Sequence, residues 1–260
     1  RGETGSNKDW RTVLVGTLRA GGKGLFALDI TDPDNISLLW EFDNSKILAY
    51  CGSNPGSTEQ DCQNPAMLGF SFPQPTIARL HNGKWAVVTG NGYDSDGKRA
   101  ALLLIDLETG TLIRSPIKVT SPVVSGDTAG APNGLSTPKL ADMNVDGVAD
   151  YAYAGDLQGN LWRFNLTPPQ TNANSGPFQR PFTAGTSDIS YFKPSYSSKP
   201  MFTARASSGE RQPITAAPNL VRHPNRQGYL VLFGTGKYFE ITDKSGTTEK
   251  QSVYGIWDTN

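Results

Sequence analysis

Nine residues of this chain place oxygen donors at the spacing of a cation-binding loop. In Asp142-Met143-Asn144-Val145-Asp146-Gly147-Val148-Ala149-Asp150, side-chain oxygens fall at the first, third, fifth and ninth positions. A hard divalent ion of calcium's size takes six to eight oxygens at about 2.3–2.6 Å, and alternate side chains of a tight loop turn inward to supply them. Asp142, Asn144, Asp146 and Asp150 are the expected side-chain ligands, and Val148 would offer its backbone carbonyl. Gly147, at the sixth position, stands where such a loop turns too sharply for most side chains. Three carboxylates within nine residues repel one another unless a cation lies between them, so calcium is the expected cofactor. The alternative is a metal-free hairpin in which Asp, Asn and Gly serve turn geometry alone. An EF-hand does not fit, because position twelve is Tyr153 and the segment after Asp150 alternates as a strand does.

Other chemistry is sparse. Asp94-Ser95-Asp96-Gly97 has two carboxylates and reads first as a hairpin turn, with a metal as the lesser alternative. Asp156 and Asn160 flank another tight turn, where hydrogen bonding to the turn backbone is expected rather than ligation. His81 and His223 stand at strand ends beside Asn, Pro or Gly, and are expected as exposed turn residues rather than general bases. No nucleophile elbow, zinc helix or phosphate loop occurs, so the chain is expected not to be an enzyme and has no expected catalytic residue. Cys51 and Cys62 flank a polar Gly/Ser/Asn/Pro stretch. A disulfide between them would close a short ring worth about 2–3 kcal/mol and imply an oxidising compartment, and two unrelated thiols are the alternative.

The elements that must position these residues are strands. With 28 Gly and 18 Pro among 260 residues, the composition favours many short strands joined by tight turns, an all-β fold. A strand ending in Gly, a turn and a second apolar strand recur four times, at Val13–Gly16 with Gly24–Asp29, Ala86–Gly90 with Ala101–Asp106, Tyr151–Gly155 with Gly159–Phe164, and Leu230–Gly234 with Ser252–Asp258. Three of the units have a preceding strand that opens on proline, at Pro75, Pro138 and Pro218. A fourth strand is expected at Leu38–Phe42, Thr111–Arg114 and Pro200–Ala204.

Four short antiparallel strands per repeat describe a β-propeller blade. The blade units run about 10–43, 75–115, 136–206 and 213–258, within a single domain over 1–260 or part of one. Insertions occupy about 44–72, 116–134 and 167–199. The first unit lacks its innermost strand and the last its outermost, so four blades are expected to form part of a larger ring. The start at Arg1 is likewise expected to be that of a segment cut from a longer chain. Trp40, Trp162 and Trp257 fall at related places in the repeat and are expected to pack between blades.

Lys plus Arg equals Asp plus Glu at 24 each, with no basic stripe, which argues against a nucleic-acid partner. The longest apolar run, Ala100 to Ile105, is far too short to span a bilayer.

An ordered set of motifs resembles the C-terminal propeller domain of the PilY/PilC family, the large calcium-binding factors associated with type IV pili. It begins with Gly22-Lys23-Gly24-Leu25-Phe26-Ala27-Leu28-Asp29-Ile30-Thr31-Asp32-Pro33, Gly90-Asn91-Gly92-Tyr93 and Asn133-Gly134-Leu135-Ser136-Thr137-Pro138. It continues through Tyr153–Phe164, Gln212–Pro218, Gly234-Thr235-Gly236-Lys237-Tyr238 and Tyr254-Gly255-Ile256-Trp257-Asp258. The resemblance implies a modified propeller shaped like quinoprotein dehydrogenases, and Ile105-Asp106-Leu107-Glu108-Thr109-Gly110 is similar to their docking repeat.

It also implies a role in pilus biogenesis and extension, twitching motility, surface adhesion and virulence, controlled by calcium at the loop from Asp142 to Asp150. Pilins, minor or major, and a host surface would be the partners, with export through periplasm and outer membrane to the cell surface. Integrin recognition, which some members of that family show through an Arg-Gly-Asp motif, does not carry over, since this sequence has Arg1-Gly2-Glu3 at its edge and no Arg-Gly-Asp. A structural or ligand-binding propeller in which calcium only rigidifies one blade is the alternative, and a quinoprotein-like oxidoreductase is a third reading.

Overall fold

A computed structural model describes residues 10–54, 67–125, 127–168, 189–225, 227–245 and 250–259. Cys62, Arg1-Gly2-Glu3 and most of the 167–199 insertion lie outside the described residues. Four antiparallel sheets follow one another along the chain, one for each repeat.

Blade 1 is β1 (Val13–Thr17), β2 (Leu25–Asp29) and β3 (Ser37–Phe42). Blade 2 is β4 (Thr76–Arg79), β5 (Trp85–Gly90), β6 (Ala100–Asp106) and β7 (Ile117–Val119). Blade 3 is β8 (Lys139–Ala141), β9 (Tyr151–Gly155) and β10 (Asn160–Asn165), with β11 (Lys193–Pro194) and β12 (Phe202–Thr203) on its outer edge. Blade 4 is β13 (Asn219–Arg222), β14 (Tyr229–Gly234) and β15 (Val253–Asp258). β4, β8 and β13 each start directly after a proline, whose missing N–H confines it to the first position of a strand.

The period of two along a strand distributes side chains between neighbouring blades. In blade 2, Ala86, Val88, Leu102 and Leu104 face blade 3, where Ala152, Ala154, Trp162 and Phe164 meet them. Their sequence neighbours Val87, Ala101, Leu103 and Ile105 face blade 1 and pack with Leu25, Ala27, Trp40 and Phe42. A third core joins blades 3 and 4 through Tyr151, Tyr153 and Leu161 against Tyr229, Val231 and Phe233. A strand buried on both faces is apolar except where a polar group finds partners, and every residue of β6 is buried, apolar from Ala100 to Ile105 and ending on the hydrogen-bonded Asp106. β3 and β15 have one face on a neighbour, and their burial alternates.

The Asp106–Gly110 segment docks blade 1 on blade 2. Asp106 accepts from the N–H groups of Glu108 and Thr109 and from Lys84 Nζ at 2.6 Å, while the indole Nε1 of Trp40 donates to Leu107 O at 2.8 Å. Gly110 has φ +66°, and a Cβ there would fall 2.5 Å from Trp40 Cγ. Gly110→Ala is therefore expected to cost about 2–4 kcal/mol, the left-handed backbone and the steric clash together. Gly147→Ala, at φ +83° with no atom within 4 Å of the added Cβ, isolates the backbone part and should cost about 1–2 kcal/mol. Urea unfolding of both variants checks the ordering, and equal losses would show that the Trp40 contact yields freely.

Several expectations change. The outer strand of blade 2 is β7, inside what reads as an insertion. The predicted strand Thr111–Arg114 is reduced to a single bridge between Leu112 and Ile105, flanked by the bonds from Asp106 N to Thr111 O and from Ile113 N to Leu104 O, because the chain bends away over 113–115. The predicted strand Pro200–Ala204 pairs only through Phe202 and Thr203, and the rest of β10's edge is taken by Lys193 and Pro194. Cys51 lies not in a loop but in a helix, α1 (Asn44–Ser53), capped by Asp43 accepting from Ser45 N at 2.8 Å and anchored by buried Ile47. No cysteine among the described residues is free. Trp40 and Trp162 pack between blades, but Trp257 is 37% exposed and rests on His223 within its own sheet.

Candidate metal centre

The loop from Asp142 to Asp150 joins β8 to β9, the first two strands of blade 3. Its side-chain oxygens organise its own backbone. Asp142 accepts from Asp146 N at 3.2 Å through Oδ1 and from Gly147 N at 2.7 Å through Oδ2. Asn144 Oδ1 accepts from Asp146 N at 3.3 Å, and its Nδ2 donates to Asp146 Oδ2 at 2.9 Å. Asp146 Oδ1 in turn accepts from Val148 N at 2.8 Å. Gly147 and Val145 both adopt left-handed backbone, at φ +83° and +62°, and Val145 carries its side chain outward at 76% exposure.

Asp142, Asn144 and Asp146 thus lie together at the rim, while Val148 is buried and Asp150 is set inward, only 5% exposed. The Asp150 carboxylate closes the loop by accepting from Met143 N at 2.7 Å through Oδ2. Its Oδ1 lies 2.8 Å from His81 Nε2 of blade 2. Among the described residues no group of three or more acidic, histidine or cysteine side chains stands ready to hold a metal ion. The donor chemistry nonetheless fits a hard cation, since every side-chain ligand the spacing names offers oxygen and none offers sulfur.

His81 is not the exposed turn residue expected from its neighbours. It is 7% exposed, because the loop of the next blade folds over it and supplies Asp150. His223 accepts from Asn225 N at 3.2 Å and packs on Trp257, as a turn residue would. Asp94 and Asp96 form no metal cluster either, and Asp96 lies 3.2 Å from Lys23 Nζ.

Asp156 goes well beyond holding its turn. It is fully buried and accepts from the backbone of Gln158 and Asn160, from Asn133 and Asn160 side-chain amides and from Trp162 Nε1. Burial pushes its carboxyl up, and the bonds from Asn133, Asn160 and Trp162 oppose that shift without cancelling it.

A second polar centre was not apparent from spacing. Arg163 donates to Asp258 Oδ1 and Oδ2 at 2.9 and 2.8 Å, with its guanidinium between the rings of Tyr151 and Tyr196 at 4.7 and 4.4 Å. Tyr153 and Tyr196 each donate a hydroxyl to Asp258 at 2.7 Å. A cleft of about 460 Å³ opens beside this group, lined by Tyr151, Arg163, Asn165, Lys193 and Tyr196 among others, and Arg163 borders it while donating to Asp258. The only sequence signal is a charged residue at the second-to-last position of an apolar run, Leu161-Trp162-Arg163-Phe164, with the parity of Leu161 and hence on the blade 4 side.

A model of the PilY1 β-propeller domain matches residues 3–260 of this chain. The type IV pilus biogenesis factor PilY1 of Pseudomonas aeruginosa strain PAO1 is 56% identical over 250 residues, covering 96% of this chain and 19% of that protein. A PilY1 homolog from Xylella fastidiosa strain Temecula1 is 36% identical over 253 residues, covering 96% of this chain and 15% of that protein. The crystal structure of the Pseudomonas aeruginosa PilY1 C-terminal domain superposes with a TM-score of 0.81 at 54% identity, covering 96% of this chain and 46% of that one. The chain therefore spans about a fifth or less of the length of these curated relatives.

Proposed function

Because this chain belongs to the PilY1 β-propeller domain family, we propose that it is the noncatalytic propeller segment of a type IV pilus biogenesis factor, with calcium bound by the loop from Asp142 to Asp150. The observation that carries the reading is the oxygen-only loop joining β8 to β9 within that fold. Asp142, Asn144, Asp146 and Asp150 would hold the ion with the carbonyl of Val148, and its charge would offset the repulsion among the three carboxylates. The loop already orders itself through N–H groups donating to Asp142 and Asp146, which lowers the entropy lost when a cation is taken up.

In this reading the parent protein works at the cell surface, supports pilus extension, twitching motility and attachment, and meets pilins or a host surface. Calcium occupancy controls that meeting. A Cys51–Cys62 disulfide would suit the same exported location. Catalysis forms no part of the proposal, in keeping with relatives that are named as biogenesis factors.

Calorimetric titration of the full-length parent with calcium tests the loop. Binding on the order of 0.1–1 mM is expected for an extracellular module, and Asp142→Ala should weaken it by at least about tenfold through loss of a charged ligand. Identical binding in both proteins would remove the loop from the account. The self-ordered loop also favours a second reading, an ion that only rigidifies blade 3. Pilus display and twitching by a folded Asp142→Ala strain separate the two, since normal display without bound calcium would leave only the rigidifying role.

A further inference from the structure

The loop from Asp142 to Asp150 is hydrogen-bonded to three blades, not one. From blade 2, the carbonyl of Arg79 at the end of β4 accepts from Ala149 N at 2.9 Å, and Arg79 forms a parallel bridge with Val148. Two residues on, His81 reaches Asp150 across 69 positions of sequence, with both side chains 7% exposed. From blade 4, Arg222 Nη2 donates to Met143 O at 3.0 Å and Tyr229 Oη donates to Asp142 O at 3.2 Å. Within blade 3, Asp150 N donates to Ala141 O at 2.8 Å and Leu166 N to Asp150 O at 2.9 Å.

We propose that His81 is a positioning residue for the ninth ligand of the loop, and that through this contact and those of Arg79, Arg222 and Tyr229, cation binding in blade 3 is coupled to the seating of blades 2 and 4. The proposal rests on the calcium reading above. A carboxylate oxygen has two lone pairs, so Asp150 accepts from His81 and from Met143 N–H while keeping acceptor capacity on both oxygens. The two bonds fix the plane and direction of the carboxylate, the task that hydrogen-bonding neighbours perform around ligating groups. Because the fixing group belongs to a different blade, any movement of the Asp150 ligand works against the blade 2 to blade 3 packing around Leu80 and Ala149. On the other side, Met143 and Asp142 present carbonyls to blade 4 from the start of the same loop, so tightening the loop also draws on Arg222 and Tyr229.

The test compares wild type, His81→Ala and His81→Gln in the full-length parent, by calcium calorimetry and by hydrogen exchange with and without calcium. Wild type should gain protection in 76–81 and 219–229 as well as in 142–150. His81→Ala should raise the Kd by about ten- to a hundredfold, the usual penalty for removing a ligand-orienting neighbour, and lose the gain in 76–81. His81→Gln, whose side-chain amide can donate from nearly the same place, should return the Kd to within about threefold of wild type. Wild-type protection confined to 142–150, or an unchanged Kd in His81→Ala, would overturn the coupling while leaving the calcium reading intact. Absence of calcium binding in wild type would overturn both. If His81→Ala does not fold, the wild-type exchange pattern and the Kd of His81→Gln decide: protection limited to the loop, or a Kd for His81→Gln raised beyond tenfold, counts against the coupling.

Discussion

Asp258→Ala is expected to lower stability by about 3–5 kcal/mol, the usual cost of removing one partner of a buried ion pair. Asp258 and Arg163 are both buried, at 2% and 8% exposure, and the pair ties the end of β15 in blade 4 to the middle of β10 in blade 3. Without the carboxylate, Arg163 keeps its charge between two tyrosine rings, and the hydroxyls of Tyr153 and Tyr196 lose their acceptor. Urea unfolding at neutral pH measures the loss, and a value below about 1 kcal/mol, the level of an exposed pair, would show that the site relaxes into solvent.

The same pair has a pH signature. Burial alone would raise the Asp258 carboxyl, but hydrogen bonds from Tyr153 and Tyr196 and the charge of Arg163 outweigh it and hold the group below the ordinary carboxylate value. A depressed acid favours the folded state above its unfolded pKa, about 3.9 for Asp. Its contribution is therefore complete at neutral pH and is lost as pH falls from about 4 through the lower folded value. Asp258→Asn should show a flatter acid limb in unfolding midpoint against pH than wild type, and superimposable limbs would count against this assignment.

Trp162→Ala should be as damaging, at about 3–5 kcal/mol, because a fully buried indole between blades 2 and 3 leaves a cavity that neither sheet can close. The indole also donates to buried Asp156 at 2.7 Å. Trp162→Phe retains most of the volume and deletes one of several donors to Asp156, so its smaller expected loss of about 1–3 kcal/mol measures that one hydrogen bond to a buried carboxylate. Equal losses in the two variants, read by thermal and urea unfolding, would mean that the hydrogen bond rather than the packing dominates.

Much of the architecture is legible along the chain because a blade is assembled from near neighbours. The strand, turn, strand units that end on Gly90 and Gly155 pair with partners a few residues away, and their alternation of apolar side chains survives in the blade cores. Trp40 is legible as an inter-blade residue for the same reason, since its parity matches Phe42 in a strand with one buried face. The outer strands are harder. β7 and β11 have three and two residues, too short for a period, and lie in stretches whose composition reads as loop. The α1 helix owes its place to an Asp43 cap and one buried residue, a weaker signal than the strands around it.

By itself the sequence determined the all-β repeat, the order of the blades, the oxygen-donor loop and its place between two strands. These depend on alternation and on turn chemistry within about a dozen residues, where the chain reports on its own neighbours. Only the tertiary structure decided that His81 is buried on Asp150, that Arg163 meets Asp258, and that the loop touches three blades. The partners in those pairs are 69 and 95 residues apart, and which of many polar side chains meet at such distances is set by how sheets stack rather than by any pattern along the chain. Once two blades close over a carboxylate or a guanidinium, leaving it unpaired would cost several kcal/mol, and that requirement selects the partner.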